Sequence, residues 1–229
     1  MRELKLQPSE KQWKFLTDTH RHVAYGGARG GGKSWAVDVK AMALALKYAG
    51  IKILLVRRTL GELKKNHVGP LLKMLNGIAR YNQQDKVFYF RNGSTIALGY
   101  CDNDNDVLQY QGAEYDVIFF DEAAQLLESW IRDINVIVRG VNGFPKRTYY
   151  TLNPGGPSHG YFKRLFIDRR FTGEENPEDY SFIQALVTDN KALMEAQPEY
   201  VKDLRNLPPA QRAAWLEGRW DVFEGQFFE

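Results

Sequence analysis

The sequence predicts an α/β fold of the P-loop NTPase class, of the additional-strand (RecA-like) type. Such a fold has a mainly parallel sheet flanked by helices, here followed by a small C-terminal helical lid or linker subdomain. Three observations predict it. A complete G-x-x-x-x-G-K-[ST] phosphate loop runs from Gly27 to Ser34. The apolar stretch Val117-Ile118-Phe119-Phe120 ends in the acidic pair Asp121-Glu122. Strand-like and helix-like stretches alternate over most of the chain before Gly173, the order that builds a parallel sheet with right-handed crossovers.

Each element has a local reason. Residues 7–19 form an amphipathic first element whose apolar members are Trp13, Phe15 and Leu16. His22-Val23-Ala24-Tyr25 is a strand, and residues 35–48 are helix-like after the phosphate loop. A second strand over 51–56 ends at Arg57-Arg58-Thr59, and residues 60–75 return to helical spacing before Asn76-Gly77. Residues 86–90 and 94–98 flank Arg91-Asn92-Gly93, a strong hairpin signature. Residues 102–106 read as a short acidic loop. The strand of the acidic pair leads to a helix over 127–139 and then to a strand over 146–152 entering Asn153-Pro154-Gly155-Gly156-Pro157. Beyond Gly173, Gly-Glu-Glu-Asn-Pro-Glu-Asp is an exposed loop, and helical stretches over 199–207 and 209–216 follow. The expected division is an ATPase core over residues 1–175 and a lid or linker over 176–229.

Composition excludes several classes. With 229 residues and 44% hydrophobic content the chain can bury one sizeable core, or a core plus a small satellite. No run approaches the length of a membrane span, and the first residues lack the apolar centre of a signal peptide. Cys101 is the single cysteine, which forbids an internal disulfide and a cysteine-based metal cluster. His20, His22 and His67 show no metal-ligand spacing with carboxylates or cysteine, so zinc is not expected. A net charge of +3 permits a local basic patch for nucleic acid without predicting one.

The motifs carry the chemistry. Glycines in the phosphate loop (Gly27, Ala28, Arg29, Gly30, Gly31, Gly32, Lys33, Ser34) let successive backbone N–H groups face phosphate oxygens, and the following helix adds its positive end. Lys33 reaches the β- and γ-phosphates of ATP, and Ser34 ligates Mg²⁺. The buried strand presents Asp121 to the metal and Glu122 to the attacking water as general base. Glu122 directly after the metal aspartate makes this the site of a hydrolase, and it favours the additional-strand branch over the kinase and GTPase branch.

The residues resemble a known family, the large subunit of tailed-phage terminases, in its N-terminal ATPase domain. The similarity is carried by Tyr25 to Ser34, by Tyr110-Gln111-Gly112-Ala113-Glu114-Tyr115-Asp116 leading into Phe120-Asp121-Glu122-Ala123, and by Thr151-Leu152-Asn153-Pro154-Gly155-Gly156-Pro157-Ser158-His159. Leu216-Glu217-Gly218-Arg219-Trp220 is similar to the family's transition out of this domain. The resemblance implies an engine that threads double-stranded DNA into an empty capsid through its portal protein, driven by ATP hydrolysis. It further implies a terminase small subunit as partner, a homo-oligomeric ring when assembled, and the cytoplasm of the infected bacterial host as its place. A C-terminal nuclease domain of ribonuclease-H type is usual in the family, and this sequence is expected to stop before it. A helicase-like or DNA-remodelling ATPase is the alternative reading.

The resemblance also gives secondary positions a role. Gln12 matches the adenine-contacting glutamine, with Trp35 beside the loop; an exposed helical glutamine is its alternative. Thr151 and Asn153 match a motif in which a polar side chain senses the γ-phosphate, against a capped Pro-Gly turn. Arg29, inside the loop, is the candidate arginine finger in cis, and Arg139 is the candidate to reach a neighbouring subunit's nucleotide; a solvated loop or helix-end charge is the alternative for each. Arg57 and Arg58 stand open between phosphate, DNA and surface ion pairs, and His159 between a phosphate contact and a helix start.

Overall fold

The computed structural model describes residues 6–223. Residues 1–5 and 224–229, part of the stretches on which the reading of the two chain ends falls, lie outside the described residues. Helix α1 (Glu10–Thr17) opens with a capping box in which Ser9 and Gln12 each bond the other's backbone. It leads to β1 (His22–Gly27), then to α2 (Lys33–Lys47) and β2 (Lys52–Arg57). Next come α3 (Leu60–Leu63), a π turn over Lys64–Val68 and α4 (Gly69–Met74), a continuous helical run with one widened section. Strands β3 (Ala79–Asn82), β4 (Val87–Phe90) and β5 (Thr95–Tyr100) precede α5 (Asp104–Leu108) and β6 (Val117–Phe120). Helix α6 (Glu128–Asn135), strand β7 (Arg147–Leu152) and helix α7 (His159–Phe162) lead to β8 (Tyr180–Ala185). Helices α8 (Lys191–Ala196), α9 (Glu199–Arg205) and α10 (Pro209–Trp215) complete it.

Among the described residues all eight strands join one sheet in the order β3-β4-β5-β2-β6-β7-β1-β8. Five neighbouring pairs, from β5·β2 to β1·β8, are parallel, and the β3-β4-β5 ribbon is antiparallel. Strand β7 stands between β1, which delivers the phosphate loop, and β6, which delivers the acidic pair. That inserted strand is the additional strand of the predicted class.

Side chains alternate between the faces of the sheet, as the two-residue period requires. Val23, Tyr25, Ile53, Leu55, Val117, Phe119 and Tyr149 pack on one face with Phe15 of α1 and Ala36, Val37 and Ala41 of α2. Ala24, Leu54, Val56, Ile118, Phe120, Tyr150 and Leu152 pack on the other with Ile131 and Ile134 of α6 and Phe162 of α7. Both faces are covered, which is why the central strands read as continuous apolar runs. Tyr149 stacks on Phe119 at 4.8 Å and Tyr150 on Phe120 at 5.7 Å, fixing β7 against β6 on both faces.

Three elements differ from the sequence reading. Residues 180–185, placed by sequence in the lid, form the edge strand of the main sheet, paired with β1 from His22↔Tyr180 to Gly27↔Ala185. Being at the edge, β8 is only partly buried and shows no apolar run. The acidic loop is largely helix α5, because Asn103 and Asp106 form a capping box at its start. The helix after the acidic pair ends at Asn135 rather than 139, since Val138 turns to bridge Tyr115 beside β6. A separate small cluster of Val187, Val201 and Leu204, with Leu193, Tyr200 and Trp215 against it, holds the C-terminal helices together. Among the described residues no helix is long and apolar enough to cross a membrane.

Candidate nucleotide-hydrolysis site

The C-terminal ends of the parallel strands converge on one edge of the sheet, where ligands bind in open α/β folds. Gly32, in the left-handed region at φ 71°, is the N-cap of α2. That conformation demands glycine, and a Cβ there would also lie 2.5 Å from Gln12 Nε2 and displace its side chain. The loop's outer side is held by the segment after β8: Ala28 N–H donates to Ala185 O, and Asn190 Nδ2 donates to Gly30 O.

Lys33 is buried and donates to Ala28 O at 2.6 Å and to Asn153 Oδ1 at 2.8 Å. Burial pulls its pKa down, Glu122 and Asp121 oppose that, and Arg29 adds to it. Asn153 Nδ2 donates to Glu122 Oε2 at 2.6 Å. Lys33, Asn153 and Glu122 therefore form one chain of charge-assisted hydrogen bonds across the mouth of the site. Glu122 sits at φ 53°, a left-handed conformation costly for a residue with a side chain, and its N–H is fixed by Thr151 Oγ1 at 2.8 Å. Strain of this kind, about 1–3 kcal/mol, persists where the surroundings over-determine it.

Asp121 is fully buried. Thr151 Oγ1 donates to its Oδ1 at 2.6 Å, His67 Nε2 lies 2.9 Å from Oδ2, and Arg57 Nη1 donates to Oδ2. Burial alone would raise the Asp121 pKa, but His67, Arg57 and Thr151 outweigh it and hold the carboxyl well below the usual range. Ser34 Oγ lies 3.3 Å from both carboxylate oxygens. One carboxylate and one hydroxyl side by side at a helix N-terminus fit a magnesium ion, which keeps several waters and takes its other ligands from phosphate.

A cleft of about 790 Å³ opens here, lined by Arg29, Lys33, Ser34, Arg57, Arg58, Glu122 and Asn153 among others, within the size range of ligand pockets. Beside it, Gln12, Gly32, Trp35, Asp189 and Asn190 line a second hollow. Gln12 is buried there, and its Nε2 donates to Gly32 O at 3.2 Å. Arg29 lines the main cleft, but its guanidinium stacks over Trp215, 3.4 Å from the ring centroid, and its backbone N–H donates to Trp215 O. Arg139 lies elsewhere. Its backbone is bonded to Tyr115 at the N-terminal end of β6, and its half-exposed side chain faces Glu114 at 3.6 Å. That end of the strand is about 20 Å from Asp121 at some 3.3 Å per residue.

Sequence reasoning missed His67, Asp38, Asn190 and Trp215 around the loop and the acidic pair. Asp38 does follow Ser34 by one helical turn, but an acid at that spacing marks no site by itself, and no spacing connects His67, Asn190 or Trp215 to either motif. Arg57 is resolved as a partner of Asp121 and Glu62, and Arg58 as a partner of Asp102. His159 is a structural residue: it is buried, stacked on Trp220, accepts from Gly155 N–H at Nδ1 and so donates from Nε2 to Trp220 O.

A phosphate loop on β1, an acidic pair on β6 and an inserted strand between them define a P-loop ATPase fold of the additional-strand type. The model of the family "Terminase large subunit, T4likevirus-type, N-terminal" matches residues 24–229. The chain belongs to that family. The structure is similar to the large terminase of a thermophilic bacteriophage, with a TM-score of 0.76 and 20% identity over 94% of this chain and 54% of that one. It is also similar to the ATPase domain of the large terminase of Thermus phage P74-26, with a TM-score of 0.68 and 16% identity over 93% of this chain and 94% of that one. The HK97 bacteriophage large terminase aligns at a TM-score of 0.59 and 12% identity, over 87% of this chain and 44% of that one. The chain thus spans about half the length of the first of these terminases. Comparison with curated proteins gave no match.

Proposed function

We propose that this chain is an ATP-hydrolysing motor unit that drives double-stranded viral DNA into a procapsid. One observation carries the hydrolytic part: the Glu122 carboxylate stands at the mouth of the phosphate loop, linked through Asn153 to the Lys33 ammonium. Nucleotide binding is further supported by the thermophilic phage terminase, whose fold this chain shares and which is known in complex with ATP-gamma-S.

In this reading the loop's backbone N–H groups and the end of α2 receive the phosphates, and Lys33 exchanges its bond to the loop carbonyl of Ala28 for phosphate oxygens. Gln12 and Trp35 flank the adenine end. Mg²⁺, held by Ser34 and Asp121, would supply positive charge to the phosphate oxygens. Glu122 orients the attacking water and takes its proton, and Asn153 senses whether Lys33 is engaged. Arg29, on the rim of the cleft, supplies transition-state charge from within the subunit, and Arg139, remote from this cleft, acts only on a neighbour's nucleotide.

Double-stranded DNA, a small terminase subunit and a portal protein are the proposed partners, within a homo-oligomeric ring in the cytoplasm of an infected bacterium. ATP turnover by the full-length protein, raised by small subunit or portal-bearing procapsids without separation of a forked duplex, tests this function. Strand separation would point to a helicase instead. Replacement of Glu122 by Gln should lower turnover by about 10² to 10⁴ while nucleotide still binds.

A further inference from the structure

We propose that His67, held from behind by Asp38, is a positioning residue that orients the Asp121 carboxylate for its divalent cation. The inference rests on the reading of Asp121 and Ser34 as the metal ligands.

His67 is sealed in the interior, with no exposed surface, and Asp38 is 1% exposed. The ring spans the two carboxylates: Nδ1 lies 2.7 Å from Asp38 Oδ1 and Nε2 lies 2.9 Å from Asp121 Oδ2. Asp38 follows Ser34 by four residues on α2, so the same helical face presents the hydroxyl beside the metal aspartate and the anchor behind the imidazole. His67 itself lies in the π turn between α3 and α4, and such widened turns recur at functional sites because they shift side-chain phase within a helix. An imidazole is rigid, so gripping it at one nitrogen fixes what the other nitrogen holds.

A carboxylate offers about four lone-pair directions. Thr151 takes one on Oδ1, while His67 and Arg57 take both on Oδ2. The fourth, on Oδ1, is the one the Ser34 hydroxyl approaches, its Oγ 3.3 Å from both carboxylate oxygens, and it is the direction in which the cation would be met. Arg57 lines the open cleft, within reach of a nucleotide, whereas His67 is beyond it. His67 is therefore the fixed member of the pair. For stability alone, apolar residues in place of the whole buried Asp38–His67–Asp121 network would often serve as well. A bridge ending on the metal aspartate acts on that aspartate's geometry.

Mn²⁺ binding to the chain loaded with a non-hydrolysable ATP analogue, followed by electron paramagnetic resonance, tests this. The variants are His67→Gln, Asp38→Asn and, as reference, Asp121→Asn, each with a thermal melt and a metal-free nucleotide titration. His67→Gln should weaken Mn²⁺ about 10- to 100-fold, the usual effect of removing an outer partner of a metal ligand. Asp38→Asn, which leaves every contact of Asp121 in place, should weaken it in the same direction by less, and metal-free nucleotide binding should not change. If His67→Gln does not fold, Asp38→Asn decides the matter alone. Variants that melt earlier but bind Mn²⁺ as the parent does, while Asp121→Asn is weakened, would overturn the positioning role. Unchanged Mn²⁺ affinity in Asp121→Asn would instead overturn the ligand assignment beneath it.

Discussion

Asn153 donates a 2.6 Å hydrogen bond to the carboxylate of Glu122, and its amide oxygen is at the same time engaged by Lys33 at 2.8 Å. In the proposed cycle phosphate draws the Lys33 ammonium away, so that the amide loses its charged partner and its hold on Glu122 weakens. Asn153→Ala should therefore leave nucleotide affinity nearly intact and lower turnover by about 10- to 100-fold, as a mispositioned base does. Comparing kcat with nucleotide Kd checks this; a Kd that collapses together with kcat would make Asn153 a binding residue instead.

Glu122→Gln keeps the side chain's shape and its bond to Asn153 but removes the proposed proton acceptor. Turnover should drop by about 10² to 10⁴ while nucleotide and metal still bind. Undiminished hydrolysis would show that another group is the base. Lys33→Ala should behave differently, losing most nucleotide binding in an equilibrium titration, because it deletes the ammonium proposed to face the phosphates.

Arg29 and Arg139 separate by geometry, since Arg29 lines the cleft and Arg139 sits at the opposite end of β6. Removal of an arginine finger typically costs about 10³ to 10⁵ in rate. In assembled rings, mixing Glu122→Gln with Arg139→Ala subunits should restore ATPase activity that neither has alone. An Arg29→Ala subunit carries its defect in its own site and should not be rescued by a neighbour. Normal hydrolysis by Arg139→Ala in translocating complexes would leave Arg139 as the surface partner of Glu114.

His22 stacks on Tyr180 at 4.8 Å, and burial, the dominant cause, lowers its pKa to about 4. The unfolded chain takes up a proton near pH 6.5 that the folded chain refuses. Its contribution to stability is therefore complete above pH 6.5 and is lost as pH falls towards 4. His22→Phe should flatten the pH dependence of the unfolding free energy from urea titrations over that window, relative to the parent, by about 1–3 kcal/mol. Parallel profiles for the two proteins would refute the assignment.

The sequence by itself determined the phosphate loop, the acidic pair, the hairpin around Gly93 and the helices after residue 199. Each is written in contiguous residues whose spacing answers to local geometry: glycines where N–H groups must face a ligand, apolar runs where both faces of a strand are buried. Only the tertiary structure decided which strand stands beside which. Strand β7 follows β6 in the chain yet separates it from β1, because register and stacking between Tyr149, Tyr150 and their neighbours, not sequence proximity, select the pairing. The edge strand β8 carried no apolar run, since only part of it is covered. His67, Asp38 and Trp215 reach the site from distant elements, through contacts that depend on how α2, the π turn and α10 pack. A polar residue looks the same in a sequence whether it meets water or a buried carboxylate, and packing alone makes the difference.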